Sequence, residues 1–299
     1  MRIISKIVLN RNFILVLAMV LGLTIGKYSI YFKDYMVYIL AFIMIFSTTG
    51  IAFREITDVK YLTKTTLLSI LLNYIIFGAV MLLLAYFLFD DKDIFNGFVV
   101  IIATPPGVAI LPFTFILKGD SRFSLIGILG TYVLAIFITP LILMLLTDSA
   151  SIKVMGIIIF TGKVVVLPLI LSRFLLIKPL KKHVEKYRGQ VVNWGFALII
   201  FTAIGLNRNV LFSDISILVK SSIIMILVTF GIGSLLKLIL KNKVNSKLII
   251  STQLMLTIKS SGFAIATSLA IFGERAAIPS AFLSIYVLIY LLFLSFTNK

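Results

Sequence analysis

The chain has no cysteine, one tryptophan, one histidine and only 11 acidic residues among 299. Without cysteine there is no disulfide framework, no thiolate metal ligand and no thiol nucleophile, and the compartment is left open. Charged residues make up 13% of the chain, about half the share of a soluble globular protein. That scarcity excludes a cytosolic enzyme and a disordered chain. No Asp or Glu falls deep inside an apolar run, which argues against a carboxylate-based proton or sodium site. His183 stands among Lys181, Lys182 and Glu185 and is read as a solvated loop residue rather than a ligand or proton relay. The cytoplasmic segments contain no Gly-rich phosphate loop, Ser/His/Asp set or His-x-x-His spacing. No catalytic residue, metal site or cofactor is expected.

What fills the chain is apolar: 61% of residues are hydrophobic and the mean hydropathy is +1.16. The reading is an all-α polytopic membrane protein with ten spans at 13–30, 35–53, 67–89, 94–117, 123–146, 152–177, 191–207, 215–240, 247–271 and 277–296. Each run is long enough to cross roughly 30 Å of hydrocarbon, the seventh only just. The runs are continuously apolar rather than alternating, which excludes barrel strands. The first follows Arg2, Lys6 and Arg11 as a signal peptide would, but no small-x-small cleavage site comes after it, so it is read as an uncleaved helix.

Basic residues set the orientation. Of the 28 Lys and Arg, 18 lie at the termini and the even-numbered connections, 7 at the odd-numbered ones, and Lys163, Arg173 and Lys259 inside spans. Asp90, Asp91, Asp93, Asp148 and Asp214 lean the other way. Both termini are therefore expected in the cytoplasm of a cell-membrane protein, with Lys178–Arg188 as the main cytoplasmic connector. The formal charge of +17 thus belongs to the bilayer and carries no case for nucleic acid.

The chain repeats at an offset of 154. Gly119-Asp120 precedes Tyr132-Val133-Leu134 as Gly273-Glu274 precedes Tyr286-Val287-Leu288. Upstream of each lies a helix-breaking cluster inside a span, Pro105-Pro106-Gly107 in the fourth and Ser260-Ser261-Gly262 in the ninth. Residues 1–147 and 148–299 then form two five-helix repeats, and because five is odd the second inserts inverted. Inverted repeats with one broken helix each are a layout of secondary transporters, in which half-helix N-termini converge on one site. The candidate substrate site is Thr104, Pro105, Pro106, Gly107 and Val108 with Thr257, Lys259, Ser260, Ser261 and Gly262.

Lys259 opens the second break, roughly 18 Å from the cytoplasmic end of its span at helical rise. Lys163 lies about ten residues into the sixth span. An ionisable group at such depth is a functional-site hypothesis by default, so both are candidate coupling residues. Arg173, near a helix end, is read as a snorkelling anchor. Positive charge beside helix N-termini points to an anionic substrate, a carboxylate, and Lys259 is a candidate proton switch in place of a bound cation.

The stretch Pro105-Pro106-Gly107 through Phe115-Ile116-Leu117-Lys118-Gly119-Asp120 resembles the fourth-helix signature of the bile acid:sodium symporter superfamily. So do Ser260-Ser261-Gly262 with Ala276-Ala277-Ile278-Pro279-Ser280-Ala281, Arg11-Asn12, and Gly50-Ile51-Ala52-Phe53-Arg54. The resemblance implies ten spans in two inverted repeats. It also implies a panel domain of spans 1, 2, 6 and 7 moving against a core of spans 3–5 and 8–10, with helices 4 and 9 crossing. Where it implies sodium ligands this chain departs. The Ser-Asn positions hold Ile110 and Leu111, the Glu position Met255, the Gln position Lys259 and the Asn position Ser260.

The reading is a secondary active transporter of a small organic anion by alternating access, without the usual two-sodium coupling. A sodium-coupled symporter of carboxylates, with ligands such as Thr104, Thr257 and Ser261, and an exporter of the auxin-efflux-carrier type are the alternatives. The partners expected are the anion, a proton or sodium, and the bilayer. An intramembrane enzyme built on Asp90-Asp91-Lys92-Asp93 ranks last, because no second acidic cluster accompanies it.

Overall fold

Helix starts are where the scarce acidic residues go. A computed structural model describes residues 11–49, 58–107, 109–147, 159, 163 and 167–297. In it Asp58, Asp91, Asp120, Asp214 and Asn245 each accept backbone N–H groups from the first turn of a helix, at 2.8–3.1 Å. The first turn carries N–H groups with no intrahelical partner, and a carboxylate also complements the positive end of the dipole.

In chain order the helices are α1 (Arg11–Ile25), α2 (Met36–Thr48), α3 (Val59–Leu88), α4 (Lys92–Ala103), α5 (Ile110–Ile116) and α6 (Ser121–Leu146). They continue with α7 (Leu167–Phe174), α8 (Lys178–Ser213), α9 (Ile215–Leu240), α10 (Ser246–Thr257), α11 (Ser261–Ile271) and α12 (Ala277–Thr297). A 3-10 stretch, Gly26–Tyr35, joins α1 to α2. Helices α3 and α9 each contain a π-helical turn, at Leu71–Ile76 and Leu227–Gly231. No strand occurs among the described residues. Among the described residues, six stretches are long and apolar enough to cross a bilayer: Phe13–Phe46, Val59–Leu88, Ser121–Leu146, Lys178–Leu206, Ile215–Leu240 and Ala277–Thr297. The protein is a multi-pass helical membrane protein.

The first of these stretches folds back on itself. Gly22 lies against Ile204, Gly26 and Ser29 against Gly205, the Phe32 ring edge-on to Phe201, and Ile43 against Gly195. The contacts climb α8 to Gly205 and then descend, so α1 and α2 run in opposite directions along it. Glycine at both 26 and 205 allows the closest approach, because a Cβ on either would strike the other backbone.

One expectation is corrected: the segment around His183, read as a loop, is helical. Lys178–Arg188, read from its charges as a connector, forms the first turns of α8. Pro179 sits in the first turn, where a missing N–H costs nothing, and Lys181 pairs with Glu185 one turn on at 3.8 Å. Half of the expected sixth span, 152–177, falls outside the described residues, and Gly50-Ile51-Ala52-Phe53-Arg54 and Asp148 lie wholly outside them.

Packing sorts the helices into two groups. Helices α1 and α2 lie along α8, with α7 on α2. Helices α3, α4, α6, α9, α10 and α12 pack on one another, α3 along α6 and α4 against α12. The groups meet where α8 lies on α11 and α12 and where α2 touches α11. Several devices recur about half a chain apart. The caps Asp58 and Asp214 are 156 positions apart and are followed by the two π turns. The caps Asp91 and Asn245 are 154 apart, as are the helix ends Ala103 and Thr257.

At a close backbone contact in the second group, Gly97 on α4 faces the Ala276 carbonyl and the Pro279 ring, and a Cβ there would fall far inside contact distance of that oxygen. A Cβ on Gly189 of α8 would meet nothing within 4 Å. Gly97→Ala is therefore expected to cost about 1–3 kcal/mol through overpacking. Gly189→Ala should be neutral or gain about 0.5–1 kcal/mol. Thermal unfolding of the two variants in one detergent checks the contrast; equal melting temperatures would contradict it.

Candidate functional site

Two prolines in succession end α4. Pro105 and Pro106 have no N–H to offer, so the carbonyls of the last helical turn need donors from elsewhere. All four find one. The Thr104 hydroxyl donates to Ile101 O at 2.8 Å and the Thr139 hydroxyl of α6 to Ala103 O at 2.7 Å. Lys259 Nζ donates to Ile102 O at 2.9 Å and to Thr104 O at 2.8 Å. Lys259 is 1% exposed, so this bond pair takes the place of its water shell.

The segment carrying Lys259 is itself a break. Helix α10 ends at Thr257, whose hydroxyl donates to Gln253 O at 2.8 Å. The next three residues are extended and cross the first break as an isolated antiparallel bridge between Pro106 and Lys259. Gly107 N–H donates to Ile258 O at 2.9 Å and Ser260 N–H to Pro105 O at 3.1 Å. The approach requires glycine at 107, because a Cβ would lie 2.9 Å from Lys259 O. Ser261 then opens α11, with Ser260 at its cap position making no side-chain capping bond.

The π turn of α3 completes the surroundings of the ammonium. Its wide turn places the Tyr74 ring 4.4 Å and Phe77, just after it, 5.3 Å from Lys259 Nζ, both by their faces. An ammonium over an aromatic face is attracted by the ring quadrupole. The same turn places Asn73, whose amide donates to Met255 O at 3.0 Å near the end of α10. Single π turns inside α-helices are frequent at functional sites.

A small cavity, partly open to its surroundings, adjoins the crossing. One wall is Leu15 of α1 with Phe196 and Ile200 of α8, and another is Val287, Leu288 and Leu291 of α12 with Phe113 of α5. Its polar part is Ser260, Ser261, Ser284, the backbone at Gly107, and Lys259. A mainly apolar lining with few convergent polar groups is that of a small-molecule site.

Of the residues expected at the site, Gly107, Lys259, Ser260 and Ser261 line this cavity together. Pro105 and Pro106 hold the crossing behind it, and the Thr104 and Thr257 hydroxyls are spent within their own helices. Gly262 gives α11 room against the Phe196 ring. Val108 lies outside the described residues, and Lys163 is exposed. Sequence reasoning missed Asn73, Tyr74, Phe77, Thr139 and Ser284. Asn73 had a signal, as a lone amide in an apolar span; the aromatic and hydroxyl groups had none.

This arrangement defines a class of membrane protein: helical, with two broken helices crossing beside a cavity between two helix groups. Residues 37–214 match the Sodium Bile acid symporter family, and the chain belongs to that family. It is a membrane transporter of the bile acid symporter type. The matched segment contains the first break and ends before the second. No curated protein matches the chain.

Replacing Lys259 tests its place in this network. Lys259→Met keeps much of the volume but leaves two buried carbonyls without a donor, at a cost of about 1–3 kcal/mol. Lys259→Ala adds a cavity and should cost more. The expected order of melting temperature in detergent is wild type, then Met, then Ala. An alanine variant as stable as wild type would take the lysine out of the network.

Proposed function

We propose that the protein is a secondary active transporter of small organic anions, working by alternating access, in which the tethered ammonium of Lys259 takes the place of a coupling cation. The observation that carries this reading is where the ammonium sits: on the C-terminal carbonyls of the broken helix α4, at the edge of the cavity. In transporters with discontinuous helices, half-helix C-termini and unwound carbonyls hold the coupling ion, while half-helix N-termini face anionic substrate groups. Here the N-terminus of α11 borders the cavity through Ser260 and Ser261. The anionic group of the substrate binds there, and the apolar walls take its body.

The matched caps, π turns and breaks support ten spans in two inverted repeats, 1–147 and 148–299. The two helix groups are the candidate panel (α1, α2, α7, α8) and core (α3–α6, α9–α12). The basic-residue asymmetry supports a cell-membrane protein with both termini in the cytoplasm. Coupling rests on Lys259, since the exposed position of Lys163 lends that residue no support.

A second reading, sodium symport, is favoured by one observation. Thr66 Oγ1, Ser69 Oγ and Asn73 Oδ1, along one face of α3, are buried without a hydrogen-bond partner, and sodium takes oxygen ligands. Purified protein screened against small carboxylates separates the two. A binder raises the melting temperature with concentration by mass action. The expected hit stabilises equally in sodium and potassium chloride, and its tracer uptake into proteoliposomes is unchanged when sodium is replaced. Uptake that stops without sodium would overturn the tethered-cation reading in favour of symport.

A further inference from the structure

Two ion pairs stand side by side on the turn between α11 and α12. Arg275 donates from Nε and Nη2 to Asp91 Oδ2 at 2.8 and 2.5 Å, binding the turn to the start of α4. Asp91 is held by the same N-terminus it caps. Burial disfavours its charge, but the Arg275 guanidinium and the Ile94 and Asp93 amides outweigh this and keep its carboxyl below the usual range. The preceding residue points the other way. Glu274 accepts from Lys33 Nζ at 2.6 Å, and Lys33 belongs to the 3-10 reversal between α1 and α2, which is packed on α8. One pair is internal to the α4–α12 group; the other crosses between the two groups.

The position of the crossing pair matters. Lys33 follows the C-terminal end of α1 and Glu274 precedes the N-terminal end of α12. The cavity is lined by Leu15, near the start of α1, and by Ser284 to Leu291, from the middle of α12 toward its far end. At the Lys33–Glu274 end a side-chain bridge joins the groups, and from the middle of α12 onward a cavity lies between them.

We infer that Lys33–Glu274 is a breakable latch that holds the two helix groups together at the end away from the cavity mouth and opens when the cavity turns to face the other side. The inference rests on the alternating-access reading above. The pair is suited to it. Both side chains are more than a third exposed, and an exposed pair contributes little enough to be broken in every cycle. The Arg275–Asp91 pair keeps the turn fixed to α4, so separation of the groups is concentrated on Lys33–Glu274.

The absence of cysteine makes the test clean, since Ser284→Cys places a single thiol in the cavity. A membrane-impermeant maleimide is applied to intact cells and to inside-out vesicles, and the labelling rate is measured from each face. In the Ser284→Cys parent, labelling should come mainly from one face. Adding Glu274→Gln should shift the ratio of rates toward the opposite face by about two- to fivefold, the range an exposed ion pair supports. The charge swap Lys33→Glu with Glu274→Lys should restore the parent ratio, which separates loss of the latch from misfolding. A ratio unchanged by Glu274→Gln in a parent labelled from one face overturns the latch and leaves the transporter reading standing. Labelling of the parent at equal rates from both faces also overturns the latch, because the pair then favours neither state.

Discussion

A backbone carbonyl inside a bilayer has no water to turn to, and the structure is organised around meeting that constraint where α4 is forced to stop. Two prolines end the helix in the interior and leave its last carbonyls exposed. Thr104, Thr139 and Lys259 supply the donors, from three different segments of the chain. Because Lys259 stands on the second broken segment, satisfying the first break joins the two halves. The crossing strand bonds between Gly107, Ile258, Pro105 and Ser260 follow from the same closeness. A cation at a helix C-terminus is also electrostatically favourable, so the lysine answers a hydrogen-bond demand and a dipole at once.

The remaining contacts show how an almost wholly apolar chain acquires a defined arrangement. Between helices in lipid there is little hydrophobic driving force, and close packing has to do the selecting. Gly97 against Ala276, Gly26 against Gly205 and Gly107 against Lys259 are places where backbones touch. The few acidic residues are used where they count most. Four of the 11 aspartates and glutamates cap helices, and Asp91 and Glu274 also form ion pairs. The π turns reorient single side chains without breaking a helix, which is how Asn73 and Tyr74 reach α10 and Lys259.

Much of this was legible in the sequence because hydropathy, proline and depth are local properties. The apolar runs marked the spans, Pro105-Pro106-Gly107 and Ser260-Ser261-Gly262 marked the breaks, and Lys259 stood out as a charge where charges are costly. Local reasoning misjudged Lys178–Arg188, because a charged segment is read as a connector whether or not its side chains pair at helical spacing. It also weighted Lys163 with Lys259, since depth along a run does not reveal whether a side chain faces inward.

By itself the sequence determined a multi-pass helical protein, two breaks half a chain apart and a lysine at the second, since each follows from composition or spacing along the chain. Only the tertiary structure decided that the lysine donates to the carbonyls of α4, that Tyr74 and Phe77 flank it, and that the cavity lies between α8 and the crossing. Those facts depend on which faces meet across segments more than a hundred residues apart, and no property of either segment alone specifies the partner.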